Sequence, residues 1–251
     1  MKEFTTIGGA KRITGLSYVG LVNNSSKHEK AYKYNEMVYT IYLAPANSSG
    51  YEVCPGRTKW CTEACLNQSG RNIMDQGREI INGSRIKKTK LFFEDREFFV
   101  RWVVAEIKKA EKKAIDEGFR FSVRLNNTSD ISPEDFLIEG VNILEMFPDI
   151  TFYDYTKVFD RMKLLDKYPN YDLTYSFTGN NWDQCKKILD DKTGRVAVVF
   201  NEVPDQYLGY TVINGNDYDM RYLDPKGVIV GLPYKKVRKK LDPNNNFVIQ
   251  N

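Results

Sequence analysis

Apolar runs that each end in a knot of polar residues recur along this chain of 251 residues. Val38–Ala44 is the first of them and predicts a buried strand, stopped by Pro45 and a loop of Asn, Ser and Gly. Between Asp75 and Gly118 the spacing changes. Phe98, Phe99, Trp102, Val103 and Ile107 return every three or four positions among lysines and glutamates, which predicts two helices closed by Gly118. Strand then alternates with helix. Phe119–Leu125 leads to a helix opened by Ser132 and Pro133 that runs to Met146, and Ile150–Tyr155 leads to a helix over Phe159–Lys167. Tyr171–Phe177 leads to a helix through Leu189, and Arg195–Phe200 ends the regular series. Tyr210–Ile213 and Asp217–Leu223 flank Asn214-Gly215 as a predicted hairpin, and Gly227–Leu232 is the last strand.

Repeated strand–helix units imply parallel strands with right-handed crossovers. The expected fold is α/β, a complete or partial (β/α) TIM-like barrel with a short antiparallel insertion near its C-terminal end. We expect one domain over 1–251: a polar N-terminal cap over 1–35 with an edge strand at Leu16–Val22, a core over 36–232, and a loose basic tail over 233–251.

The strand endings are where the chemistry is expected. They read as the cysteine loop, RLNNTSD, FYDYTK, TYSFTGNN and VFNE, and in barrels and open parallel sheets alike such endings converge on one rim. Asp130 and Asp154 are the candidate catalytic carboxylates, with Arg124 beside them as a carboxylate or phosphate ligand. A carboxylate inside a strand costs several kcal/mol to bury unless partnered, and Arg124 and Lys157 are the partners within reach of Asp154. Asn126, Asn127, Tyr155, Lys157, Ser176, Asn180 and Asn201 complete a candidate substrate pocket. Asp130 serves equally as a turn residue, and Asp154 equally as half of a structural ion pair.

Three of the four cysteines, Cys54, Cys61 and Cys65, fall in one loop with the spacing C-x6-C-x3-C, and Cys61 and Cys65 share a helix face. Three thiols at a strand exit are a donor set for a [4Fe–4S] cluster with one open iron, or for zinc with a fourth ligand from Cys185, His28 or an acid. Cys185 sits in a helical pattern, WDQCKKIL, and reads as a lone thiol.

Composition narrows this further. His28 is the only histidine and reads as part of a polar loop, NNSSKHEK, which argues against a Ser-His-Asp triad, a His-rich zinc site and a two-histidine iron site. Net charge is only +4, yet basic residues clump at Arg85–Lys90, at Lys108 to Lys113 and at Lys235–Lys240. Lys87, Lys88 and Lys90 are candidate phosphate contacts; solvated helix faces and a soluble tail account for the same clumps. No apolar run has the length of a membrane span and the N-terminus has no signal-peptide core, so the expected location is cytoplasmic, where thiols stay reduced.

TIYLAPANSSGYEVCPGRTKWCTEACL, RIKKTKLFFEDR, FSVRLNNTSDI, FPDITFYDYTK, LTYSFTGNN, VAVVFN and LDPKGVIVGL together resemble the phage and mobile-element family gene product 88. That resemblance implies phage origin and an accessory role. The layout of strand, three-cysteine loop, helix and β/α barrel also resembles radical S-adenosylmethionine enzymes, although that family spaces its cysteines more tightly. It implies that Cys54, Cys61 and Cys65 hold the cluster and that its open iron binds S-adenosylmethionine. A third resemblance, to barrel transglycosylases that exchange guanine for a deazaguanine, implies a structural zinc with Asp130 and Asp154 as nucleophile and acid/base. The leading expectation is an enzyme acting on a nucleotide or nucleic acid. A zinc-stapled module that binds DNA or a host protein is the alternative.

Overall fold

In the computed structural model the chain is described over residues 6–16, 21–23, 25–65, 75–235 and 240–250, and for residues 26 and 75–81 the backbone alone. Residues 17–20 of the predicted strand at Leu16–Val22 and most of the basic run at Lys235–Lys240 therefore lie outside the described residues. Within them, Val22 makes an antiparallel bridge to Thr40.

Five strands form the body of the sheet: β1 (Glu36–Thr40), β2 (Arg120–Arg124), β5 (Thr151–Thr156), β6 (Tyr171–Ser176) and β7 (Arg195–Phe200). They pair side by side in that order and all in parallel. β10 (Ile229–Pro233) continues the parallel series beside β7, followed by β9 (Tyr210–Asn214) and antiparallel β8 (Gln206–Tyr207). Strands laid down in chain order, always stepping the same way, put right-handed crossovers on one side of the sheet. That side carries α4 (Asp75–Glu94), α5 (Arg96–Asp116), α6 (Ile143–Met146), α7 (Leu164–Lys167) and α8 (Trp182–Asp190).

The core follows from this winding. Phe98, Phe99, Trp102 and Ile107 of α5 pack against Val123, Phe152 and Leu173 of the sheet in one cluster. Ile188 and Leu189 of α8 pack on Val196, Val198 and Phe200 in a second. Each such side chain contributes about 1.5–3 kcal/mol on full burial. The opposite face, here called inner, alternates with these residues along each strand. Over it lie α2 (Ser26–Ala31) and the segment around the 3-10 turn Arg221–Leu223, whose Met220, Tyr218 and Tyr222 meet Val38 and Tyr153.

Four expectations change. No pairing among the described residues joins β1 to β8, so closure into a complete TIM-like barrel is not seen among them; the sheet is large and mostly parallel. The helix expected over Pro133–Met146 is instead a 3-10 turn at Pro133–Asp135, a hairpin of β3 (Leu137–Ile138) and β4 (Val141–Asn142), then α6. Glu139 and Gly140 both take positive φ, which no helix tolerates, and Asn142 caps α6 through the N–H groups of Leu144 and Glu145. The expected pairing of Tyr210–Ile213 with Asp217–Leu223 is replaced by the β8–β9 hairpin, where Leu208 and Gly209 have positive φ. The tail is not loose throughout: β11 (Val248–Ile249) pairs in parallel with Val199 and Phe200 of β7. It enters on the β6 side, beyond the point where β6 stops pairing at Ala197.

Candidate functional site

The cysteine loop is seated on the C-terminal ends of the strands. Asp130 N–H donates to Val53 O at 2.7 Å, and Thr58 Oγ1 donates to Thr178 O at 2.8 Å, so the loop spans the endings of β2 and β6. Gly56 lies against Lys157 so closely that a Cβ there would stand 2.8 Å from Lys157 Cβ and 2.9 Å from its carbonyl oxygen. Only glycine permits that approach. Thr58 caps the short helix α3 (Lys59–Glu63) by accepting from Cys61 N–H, and Cys61 Sγ accepts from Thr58 N–H in return. The C-terminal tail clamps α3 from outside. Asn245 Nδ2 donates to Trp60 O and Glu63 Oε2, and Lys59 pairs with Asp242 at 3.1 Å.

Gly56 thereby brings the loop that carries Cys54, Cys61 and Cys65 up to Lys157. Burial disfavours charge on its ammonium, but Asp130 and the thiols of Cys61, Cys54 and Cys65 outweigh burial and raise its pKa. Burial also pushes the Cys54 thiol up to about 11 against the pull of Lys157. Cys54 and Cys65 are half-buried and Cys61 is buried. Among the described residues no three His, Cys, Asp or Glu side chains stand as a ready metal-holding set.

Behind the rim runs a chain of buried hydrogen bonds. Asp154 Oδ1 accepts from Asn126 N–H at 2.6 Å, and Oδ2 accepts from Asn126 Nδ2 and the Tyr171 hydroxyl, each at 3.0 Å. Tyr171 accepts from Arg161 Nη2, Arg161 Nη1 donates to Asp130 Oδ1, and Asp130 Oδ2 accepts from Lys157 N–H. Glu134 holds the other edge of the Arg161 guanidinium. Both predicted carboxylates have every oxygen engaged, so each is built into the scaffold. Burial pushes Asp154 up to about 6.

The predicted pocket residues divide by face. Arg124, Tyr155, Lys157 and Ser176 belong to the inner face and its rim, where Asn127 Nδ2 donates to Thr40 Oγ1. Asn126 and Asp154 bond toward the helix side. Asn180 and Asn201 are exposed. Arg124 pairs with Asp219 at 2.7 Å, not with Asp154. Lys88 is 2% exposed, and burial lowers its pKa to about 8, so it is withdrawn from the phosphate-contact set; Lys87 and Lys90 are exposed. Cys185 packs inside the α8 cluster, where burial pushes its pKa up to about 12. His28 lies in α2 and not in a loop. Burial and the charges of Arg124 and Lys27 lower its pKa to about 4 despite Asp219.

Sequence reasoning missed Asp219 and Arg221, which occupy the segment taken for a strand. Their signal is an Asp and an Arg two positions apart among Tyr218, Met220 and Tyr222, a charge pair within an apolar stretch. A shallow depression lined by Val203, Pro204, Val212 and Pro233 lies elsewhere, and no predicted site residue lines it. No helix among the described residues is long and apolar enough to cross a membrane.

Fold and rim together define a mixed α/β protein whose parallel sheet carries a thiol–lysine cluster at its C-terminal edge. The chain belongs to the gene product 88 family, a phage gene product family, whose model matches residues 16–246. No curated protein and no solved structure matches it.

Proposed function

We propose that the chain is a metal- or iron–sulfur-dependent enzyme whose cysteine loop binds the metal at the sheet rim and whose substrate is a nucleotide or a similar phosphorylated compound. The observation that carries this is the seating of the loop with Cys54, Cys61 and Cys65 on the strand endings, where Gly56 lies against Lys157. Three thiols suit a soft metal or a cluster by donor chemistry. A lysine ammonium beside them offsets the negative charge that three thiolates would bring together. His28 faces Asp219 and Cys185 is packed behind the sheet, so neither supplies a fourth ligand, and an open coordination position favours a catalytic over a purely structural site.

A bound metal or cluster would supply Lewis-acid or one-electron chemistry at that position. The chain's own part is positional. Gly56 lets the loop sit down on Lys157, Thr58 fixes the start of α3, and the Asp154–Tyr171–Arg161–Asp130 chain holds the Lys157 backbone. The transglycosylase reading is the weaker one, because Asp130 and Asp154 are both buried and every one of their oxygens already accepts a hydrogen bond from the chain.

Anaerobic purification followed by metal and sulfide analysis tests the proposal. The expected result is stoichiometric metal that is lost in Cys54→Ala, Cys61→Ala and Cys65→Ala but retained in Cys185→Ala. Full metal content in the three rim variants would overturn it.

A further inference from the structure

The inner face of the sheet holds a second group of buried polar side chains, just below the rim. Arg124 on β2, Tyr153 and Tyr155 on β5, and Thr174 on β6 stand side by side, because the register sets Tyr155 against Thr174 and Val123 against Phe152. Arg221 and Asp224 cover them from the turn above. The Arg124 guanidinium lies 4.6 Å from the centre of the Tyr155 ring.

What distinguishes this group is what it leaves unpaired. Among the described residues eight buried side-chain polar atoms have no hydrogen-bond partner, and seven of them are here. They are Arg124 Nε, Arg221 Nε and Nη1, the hydroxyls of Tyr153, Tyr155 and Thr174, and Asp224 Oδ2. Arg221 Nη1 stands 3.1 Å from Asp224 Oδ2, an ion pair whose angles miss hydrogen-bond geometry. Buried polar groups are normally satisfied, so five atoms without any partner and one poorly aligned ion pair on the same face mark a group completed by something other than the chain.

The balance of charge says what would complete it. Asp219 is shared by Lys27 and Arg124, each at 2.7 Å, and Asp224 faces Arg221. Three cations thus meet two carboxylates, while Arg195–Asp172 and Arg120–Glu36 neutralise themselves. His28 is held neutral there. Burial, with Asp219 adding to it, pushes the Tyr155 phenol up to about 12 and raises the Tyr153 phenol well above its ordinary value, so both keep their protons.

We infer that this inner face binds the phosphoryl group of a small molecule. Two guanidinium N–H groups and three hydroxyls give five donors on one face beside one excess positive charge. A carboxylate offers only about four lone-pair sites; three terminal phosphoryl oxygens offer more, and arginine forks suit them. The inference stands without the metal. If the metal proposal also holds, the phosphoryl group belongs to the substrate whose reacting end meets the rim.

Calorimetric titration of the full chain with inorganic phosphate, with adenosine monophosphate and with sodium acetate tests it. Phosphate and the nucleotide should bind and acetate should not. Tyr155→Phe deletes a hydroxyl that bonds nothing in the protein, so its melting temperature should be unchanged while phosphate binding weakens about tenfold. Arg124→Lys, which keeps a charge beside Asp219, should weaken it at least as much. Cys61→Ala should bind phosphate as the parent does, which separates this result from the metal proposal. The absence of binding heat with phosphate, acetate binding as well as phosphate, or undiminished affinity in both Tyr155→Phe and Arg124→Lys would overturn the inference.

Discussion

Asp154 shows how far a single residue could be read from its neighbours in sequence. An acid within FYDYT needs a partner, and that much was legible. Its partners are Asn126, just past the end of β2, and Tyr171, at the start of β6, because Asp154 points to the helix side while Arg124 and Tyr155 point inward. Strand alternation held the information, but the partner's identity depends on register, which pattern alone leaves free. Asp154→Asn should therefore act on stability before chemistry. Its amide would set a donor against Asn126 Nδ2 or the Tyr171 hydroxyl, and urea unfolding should show a loss of about 2–3 kcal/mol. Asp154 and His28 also make opposite pH predictions. Asp154 is raised to about 6, so it keeps its proton in the folded state over a range where the unfolded chain has lost it. Its contribution is present below about pH 4 and lost as pH rises to 6. His28 is lowered to about 4 from 6.5, so acidification protonates the unfolded chain first and stability falls, by about 3 kcal/mol in all, from pH 6.5 to 4. The charges facing it are Asp219, Arg124 and Lys27. In the parent protein the two slopes oppose each other between pH 4 and 6. In His28→Gln, whose side chain can still accept from Ser25 N–H, stability should instead fall as pH rises through that window; a parent-like profile there would refute the His28 assignment.

At the level of elements, the strands were legible to within a residue or two from Arg120 to Phe200, since each is apolar, short and bounded by turn residues. Helices fared worse where they are short. Nothing in EDFLIEGVNILEM announces a hairpin except Glu139-Gly140, and its apolar spacing suits a helix as well as it suits two tiny strands. The cysteine loop was legible as a site by its thiols. It was not legible as a seat, because that depends on Gly56 meeting Lys157 a hundred residues later. Gly56→Ala tests the seat. Its Cβ would clash with Lys157 backbone, which is pinned by Asp130, so the loop must lift. The expected cost is about 1–3 kcal/mol. Faster reaction of Cys54 and Cys61 with a thiol reagent under native conditions should accompany it. Unchanged thiol reactivity would mean that the loop is not held there.

Across the whole molecule, the winding of the sheet explains why distant stretches meet. Parallel strands laid down in chain order bring every ending from Thr40 to Phe200 onto one edge, so a rim site was predictable from alternation alone. Barrel closure was not predictable, because the same alternation serves closed and open sheets. The tail was misread for a different reason: its basic residues suggested solvent, while the pairing residues Val248 and Ile249 come after them. β11 fills the opening between β6 and β7, and Asn245 and Asp242 reach α3 on the way. The last ten residues thus close the sheet and hold the cysteine helix at once. Deleting residues 242–251 removes both. It exposes unpaired groups of Val199 to Asn201 and frees the carbonyl of Trp60, with an expected loss of about 2–4 kcal/mol from the lost hydrogen bonds and the buried Val248. Hydrogen exchange should quicken in β7 from Val199 onward and in α3, while β1 and β2 stay protected. Exchange rising evenly across the whole sheet would show that the tail supports overall stability without acting as a clasp on the cysteine helix. Faster exchange confined to β7 and α3 would mean that the grip on Cys61 depends on the far end of the chain.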